Sequence, residues 1–262
     1  MGQPIIDPMR RTILAAAVGC LAAGAIVQAQ ATSAGQPYSV PRTHDGRPDL
    51  QGIWRAMNSA VWNIQDHNAE LGLPAGRGVV EGNELPYLPE ALARRQENYK
   101  RRATADPESK CHMVGVPRIT YMPYPFQIFQ TPSQLTIVYE YAHTVRNIYL
   151  NSQHPPPGIQ WHMGDSRARW EGDTLVVDVV HFTDQTWFDR SGNFHSDALH
   201  VVERYTRTGP DHMRYEAAIE DPNVFSRPWK MSMTLYRDVE PDARLLEYEC
   251  APLIEAQRSE TR

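Results

Sequence analysis

The sequence predicts a mainly β protein, an antiparallel barrel or a strongly curved sheet, preceded by one helix and an irregular arm. Three observations carry this. Period-two alternation of apolar and polar residues recurs through the second half of the chain. Short turn-forming stretches such as TRTGPDH and VEPDAR separate the alternating runs. No long helical pattern interrupts them after Cys111, which disfavours βαβ units and a parallel sheet.

The elements follow in order. Arg10 and Arg11 precede the apolar run TILAAAVGCLAAGAIV, so residues 1–29 read as an export signal, either a twin-arginine or an ordinary secretory one. Its hydrophobic segment is too short and too rich in Ala and Gly for a membrane span. Cys20 lies inside that segment rather than at a lipidation site. Residues 30–50, rich in Pro, Gly and polar residues, form a linker, and residues 51–262 a single β-rich domain. PEALARRQENYKRRA, with Pro89 at its first turn, predicts a helix over about residues 89–104.

Strands are expected from about residue 118 onward. WKMSMTLYR places Trp229, Met231, Met233 and Leu235 on one face, and HMRYEAAIE places Met213, Tyr215, Ala217 and Ile219 on one face. FQIFQT, QLTIVYEY, VRNIYL, RARWEG, DTLVVDVVHF, LHVVERYTR and RLLEYEC complete a set of about nine. Closing such a set into a barrel removes exposed edges; a two-sheet sandwich is the alternative.

Composition bounds the partners. The chain has 262 residues, 41% hydrophobic and 22% charged, enough for one sizeable core, with a formal net charge of −5. That balance supplies no basic field for nucleic acid or an anionic membrane surface, so a small molecule or another protein is the expected partner, and the inward-facing Trp, Met and Tyr residues make it a small apolar or aromatic molecule. With Cys20 removed, Cys111 and Cys250 remain, either as a disulfide closing the two ends of the domain or as two buried thiols.

Gly52-Ile53-Trp54 resembles the G-x-W of lipocalins, in which the Trp closes one end of the barrel. PDLQGIW, PRITYMPYPFQIFQTPSQLTIVYEY, RWEGDTLVVDVVHFTDQTWFD, HSDALHVVERY and DPNVFSRPW together resemble an uncharacterised family of exported bacterial proteins, over most of residues 47–250. Relatives often continue after the C-terminal cysteine as His-Glu-Gly, whereas Cys250 is followed by Ala-Pro-Leu. This resemblance implies export to the periplasm or beyond and brings no reaction with it.

Chemistry is therefore read from residues. In LVVDVVHF, a strand sets Asp178 in a row with Val176, Val180 and Phe182, where a carboxylate needs a partner or a raised pKa. In LHVVERY, His200, Val202 and Arg204 share one face, and Leu199, Val201, Glu203 and Tyr205 the other. Pairing of the two strands brings Asp178 or His181 near His200 or Arg204. The expected site is thus a His–carboxylate pair on the apolar wall of a barrel interior, with His200, Asp178, His195, Glu203 and Arg204 as the acid–base group. Trp229, Met231, Met233 and Tyr215 would line the pocket, and Arg118, Tyr139 and Tyr141 would orient a substrate oxygen. A metal reading uses His195, Asp197 and His200, at a spacing that matches no known metal signature.

No G-x-S-x-G, G-x-x-x-x-G-K, G-x-G-x-x-G or H-E-x-x-H is present. The reading that results is an exported, cofactor-independent acid–base enzyme of lyase, isomerase or hydratase type. Its alternatives are a periplasmic protein that binds a hydrophobic ligand without catalysis and a metal-dependent enzyme using the His/Asp cluster.

Overall fold

The computed structural model describes residues 38–70, 73–248 and 250. The export signal and Cys20 lie outside the described residues. From Tyr38 the chain builds a closed nine-stranded barrel in which each strand hydrogen-bonds to the next and the last returns to the first. The strands are β1 (Gly52–Ala56), β2 (Phe126–Gln130), β3 (Gln134–Tyr139), β4 (Val145–Leu150), β5 (Asp165–Glu171), β6 (Thr174–Val180), β7 (His200–Gly209), β8 (His212–Glu220) and β9 (Trp229–Arg237). Closure runs through Trp54 opposite Arg237 and Ala56 opposite Leu235. The sandwich alternative is excluded.

Two expectations about the strands are corrected. RLLEYEC forms no strand at its described positions, and GIWRA, which alternation did not pick out, supplies β1 instead. The reason is closure: the outer edge of β9 is already paired with β1, so no ladder remains for a further strand. The sheet is also not wholly antiparallel, because β4 and β5 run parallel from Ile148/Ser166 to Leu150/Ala168. The connection spanning 151–164 allows this, since a parallel pair needs a crossover of about a dozen residues or more.

Alternation decides which side chains go inside. Ile128, Leu135, Ile137, Ile148, Leu175, Val177, Val179, Val201, Met213, Tyr215, Ala217, Met231 and Leu235 belong to one buried core. Trp54 is fully buried, donates its indole N–H to the Leu50 carbonyl at 3.0 Å, and has the Arg207 guanidinium over its ring. The helical segment divides into α1 (Pro89–Lys100) and a short α2 (Arg102–Ala105). In α1 only Ala91 and Asn98 are buried; the Asn98 amide donates to the Gly192 carbonyl at 3.2 Å. Gly192 is required there: its φ is +82°, and a Cβ would lie 2.8 Å from Asn98 Cβ and 2.9 Å from the Tyr99 nitrogen.

Cys111 and Cys250 form a disulfide across a sequence separation of 139, with Cα atoms 5.6 Å apart. It fastens the segment beyond β9 to the turn at Cys111, near which Tyr124, Tyr141 and Tyr248 pack as a three-ring cluster. Among the described residues no helix is long and apolar enough to cross a membrane.

Candidate functional site

The outer faces of β5, β6 and β7 carry a chain of carboxylates and imidazoles. Asp178 faces outward from β6, opposite Arg167 on β5 and Val202 on β7, and His200 at the start of β7 faces the same way. His200 Nε2 bonds to Asp178 Oδ1. His154, from the β4–β5 connection, lies over the same face, with Nδ1 2.6 Å from Asp165 Oδ2 and Nε2 3.2 Å from Asp178 Oδ2. Asp165 is in turn gripped by Arg167 through both of its oxygens, at 2.7 and 2.8 Å. The result is a continuous line from Arg167 through Asp165, His154 and Asp178 to His200, whose Nδ1 looks toward Glu220 at 3.9 Å.

Local charge sets the protonation of the acids. Burial would raise the Asp178 carboxyl, but the hydrogen bond and charge of His200, then those of His154, outweigh it and hold it below the usual carboxylate range. Asp165 is likewise depressed, with Arg167 and His154 overcoming burial. An ionised Asp178 accepts from the His200 Nε2–H and so fixes the ring, with Nδ1 turned toward Glu220.

A cavity of about 370 Å³ opens beside this line. His200, His181, Asp197 and Gln160 supply its polar lining, Val180 and Leu199 part of its apolar lining. His181 sits just past β6 with φ +61°, which turns its ring out of the strand's alternation. Its Nε2 lies 3.1 Å from the Pro155 carbonyl and must donate there, so a neutral His181 carries its lone pair on Nδ1. Alternation sets His181 on the face of β6 opposite Asp178; the left-handed residue at the strand end is what brings it to the same side. His154 was not foreseen because it lies in an irregular connection with no period to place it.

The sequence-derived pair Asp178–His200 therefore exists, but on the outside of the barrel rather than on its inner wall. The apolar row Val176, Val180 and Phe182 misled because the outer face is itself covered in part by the connection carrying His154, so both faces of β6 read as apolar. The other expected members are dispersed. Arg204 faces outward and pairs with Glu171 at 3.0 Å. Asp197 accepts from the Gln160 amide at 3.1 Å. His195 is buried, with Nδ1 2.8 Å from the Ser196 carbonyl and Nε2 2.6 Å from the Thr186 hydroxyl, and packs on the rings of Phe182 and Phe188. The proposed metal trio is thus separated, and among the described residues no group of three or more His, Cys, Asp or Glu converges as a ligand set.

His195 has a measurable consequence. Burial lowers its pKa below the ordinary 6.5, and the carbonyl of Ser196 and the charges of Asp221 and Asp184 only partly oppose this. The unfolded chain then binds a proton that the folded chain refuses, so stability falls as pH drops below about 6.5. The thermal midpoint is expected to fall between about pH 7.5 and 5.5, and His195→Asn to flatten that slope. An equal slope in the variant would remove His195 as its source.

Glu203 faces inward and is fully buried. It pairs with Arg146 of β4, whose guanidinium also reaches Ser166 Oγ at 2.9 and 3.0 Å, and it accepts from the hydroxyls of Tyr205 and Tyr215 at 3.0 and 2.9 Å. Arg146 stands at an inward position of the alternating strand VRNIYL, and its partner Glu203 comes from a strand distant in sequence. Burial pushes the Tyr139 hydroxyl up to about 12, and the Tyr139 and Thr120 hydroxyls are buried without a hydrogen bond of regular geometry.

None of the expected pocket-lining residues lines the cavity beside His200. Met231 and Tyr215 fill the core, Trp229 packs on Phe188 and Phe225, and the Met233 sulfur lies 3.4 Å from the Asn58 amide. Arg118 is locked by Asp106 and Glu108, and Tyr141 belongs to the tyrosine cluster beside the disulfide. No protein-family model matches the chain, and no curated protein matches it.

Proposed function

We propose that the chain is an exported enzyme performing general acid–base chemistry, of lyase, isomerase or hydratase type, on a small molecule held against the outer wall between His200 and His181. The observation that carries this reading is the Asp178–His200 pair at the rim of a cavity, with His154 and Asp165 lined up behind it. His200, oriented by Asp178, would take a proton from the substrate, and the resulting imidazolium would be held by Asp178 and Glu220. His181, with its tautomer set by Pro155, offers the second proton-transfer group across the cavity.

The pair is half-exposed, so its contribution to stability is small, about 0–1 kcal/mol. Its substitution should therefore leave the barrel intact and report on chemistry. The test is α-proton exchange of cyclohexanone in D₂O, followed by NMR. The expected result is saturable exchange faster than that of free imidazole, reduced by about a hundredfold in His200→Gln and in Asp178→Asn. The double variant should lose little more than either single one, because the two act as a unit. Exchange no faster than imidazole, or unchanged in both variants, would overturn the enzymatic reading in favour of ligand binding without catalysis.

A further inference from the structure

A second cavity, of about 600 Å³, lies where β4 and β5 part. Their parallel ladder covers only Ile148–Leu150 against Ser166–Ala168, and toward the starts of both strands the wall opens. Arg146 and Ser166, both inward-facing, form the floor of this window. Its rim is made of Met113, Val145, Tyr149, Ile159 and Trp161, all large apolar side chains left exposed to solvent. Scattered exposed apolar residues need no explanation, but a ring of them around a concave site does.

The floor is polar yet electrically balanced. Arg146 is compensated by Glu203, and Arg167 at the edge by Asp165. His162, in the same lining, is held neutral by burial and by the neighbouring His112. An anion entering here would find no uncompensated cation. A neutral oxygen would find a buried guanidinium N–H and the Ser166 hydroxyl.

From this pairing of an apolar ring with a charge-balanced donor floor, we infer that the β4–β5 window binds a neutral, largely apolar molecule bearing one carbonyl or hydroxyl oxygen. The oxygen points at Arg146 and Ser166, and the apolar body lies against Tyr149, Ile159 and Trp161. The two cavities share Gln160 in their linings, but Arg146, Ser166 and the apolar rim line this one and not the cavity at His200, so the inference stands whether or not that one is catalytic.

The experiment uses the mature chain and the fluorescent ketone 6-propionyl-2-dimethylaminonaphthalene, which is neutral and shifts to the blue on leaving water. Saturable one-to-one binding is expected. It should be displaced by 2-acetylnaphthalene at concentrations about tenfold lower than by 2-naphthoate, a preference of about 1.4 kcal/mol. Trp161→Ala and Val145→Asp, at exposed positions, should each weaken binding about tenfold with an unchanged thermal midpoint. His200→Gln should leave it unchanged, which separates this site from the one at the outer wall. Non-saturable binding, equal or better displacement by the naphthoate, or rim variants that bind like the parent protein would each overturn the assignment.

Discussion

Replacing Arg146 with methionine is expected to destabilise the barrel by about 3–5 kcal/mol. Arg146 and Glu203 are both almost wholly buried, and among the described residues no other cation touches the carboxylate, whose further partners are the hydroxyls of Tyr205 and Tyr215. Removing the guanidinium leaves a charge in the barrel interior that must be carried uncompensated or neutralised by taking up a proton. Adding Glu203→Gln should recover more than half of the loss, since glutamine keeps an acceptor for both tyrosines and removes the charge. Urea denaturation of the two variants measures this. A loss below about 1 kcal/mol for the single variant would mean that Glu203 is solvated rather than dry.

The same pair shows what the sequence could and could not convey. Alternation correctly put Glu203 and Tyr205 on one face of β7 and His200 and Arg204 on the other, and it put Leu175, Val177 and Val179 together on β6. What alternation does not carry is which face is the inside when both are partly covered. Asp178 lay among valines, so its row was assigned to the barrel wall, yet the irregular connection bearing His154 is what covers that row. Conversely, the interior contains a buried ion pair, Arg146 with Glu203, joined across strands that no local pattern connects. Strand existence was legible because eight runs were long and periodic. GIWRA was missed because it is five residues long, follows a glycine-and-proline-rich arm and stands far from the other strands; its role is fixed only by closing the ring. The helix was legible from Pro89 and its composition, since helix initiation is a local matter.

Arg118→Met is the second substitution with a large expected effect, again about 3–5 kcal/mol. Sequence reasoning offered Arg118 as a group that orients substrate, which predicts weaker binding and an unaltered fold. Its surroundings argue otherwise. The guanidinium grips both oxygens of Asp106 at 2.8 Å, and it also contacts Glu108, which is shared with Arg190. Burial alone would lower its pKa, but Asp106 and Glu108 raise it, so the cation stays charged in a dry setting. Three segments meet at this fork: the turn after α2, the 3-10 turn Arg118–Tyr121, and the loop holding Arg190. Arg118→Lys keeps the charge but not the two-pronged geometry, and a cost of about 1–3 kcal/mol is expected for it. Thermal midpoints of the two variants, measured beside their binding of the naphthyl ketone, separate the roles. A methionine variant that melts like the parent protein would return Arg118 to the list of binding residues. A midpoint lowered in both, and more in methionine, places it among the groups that hold the loop bearing Arg190 against the barrel.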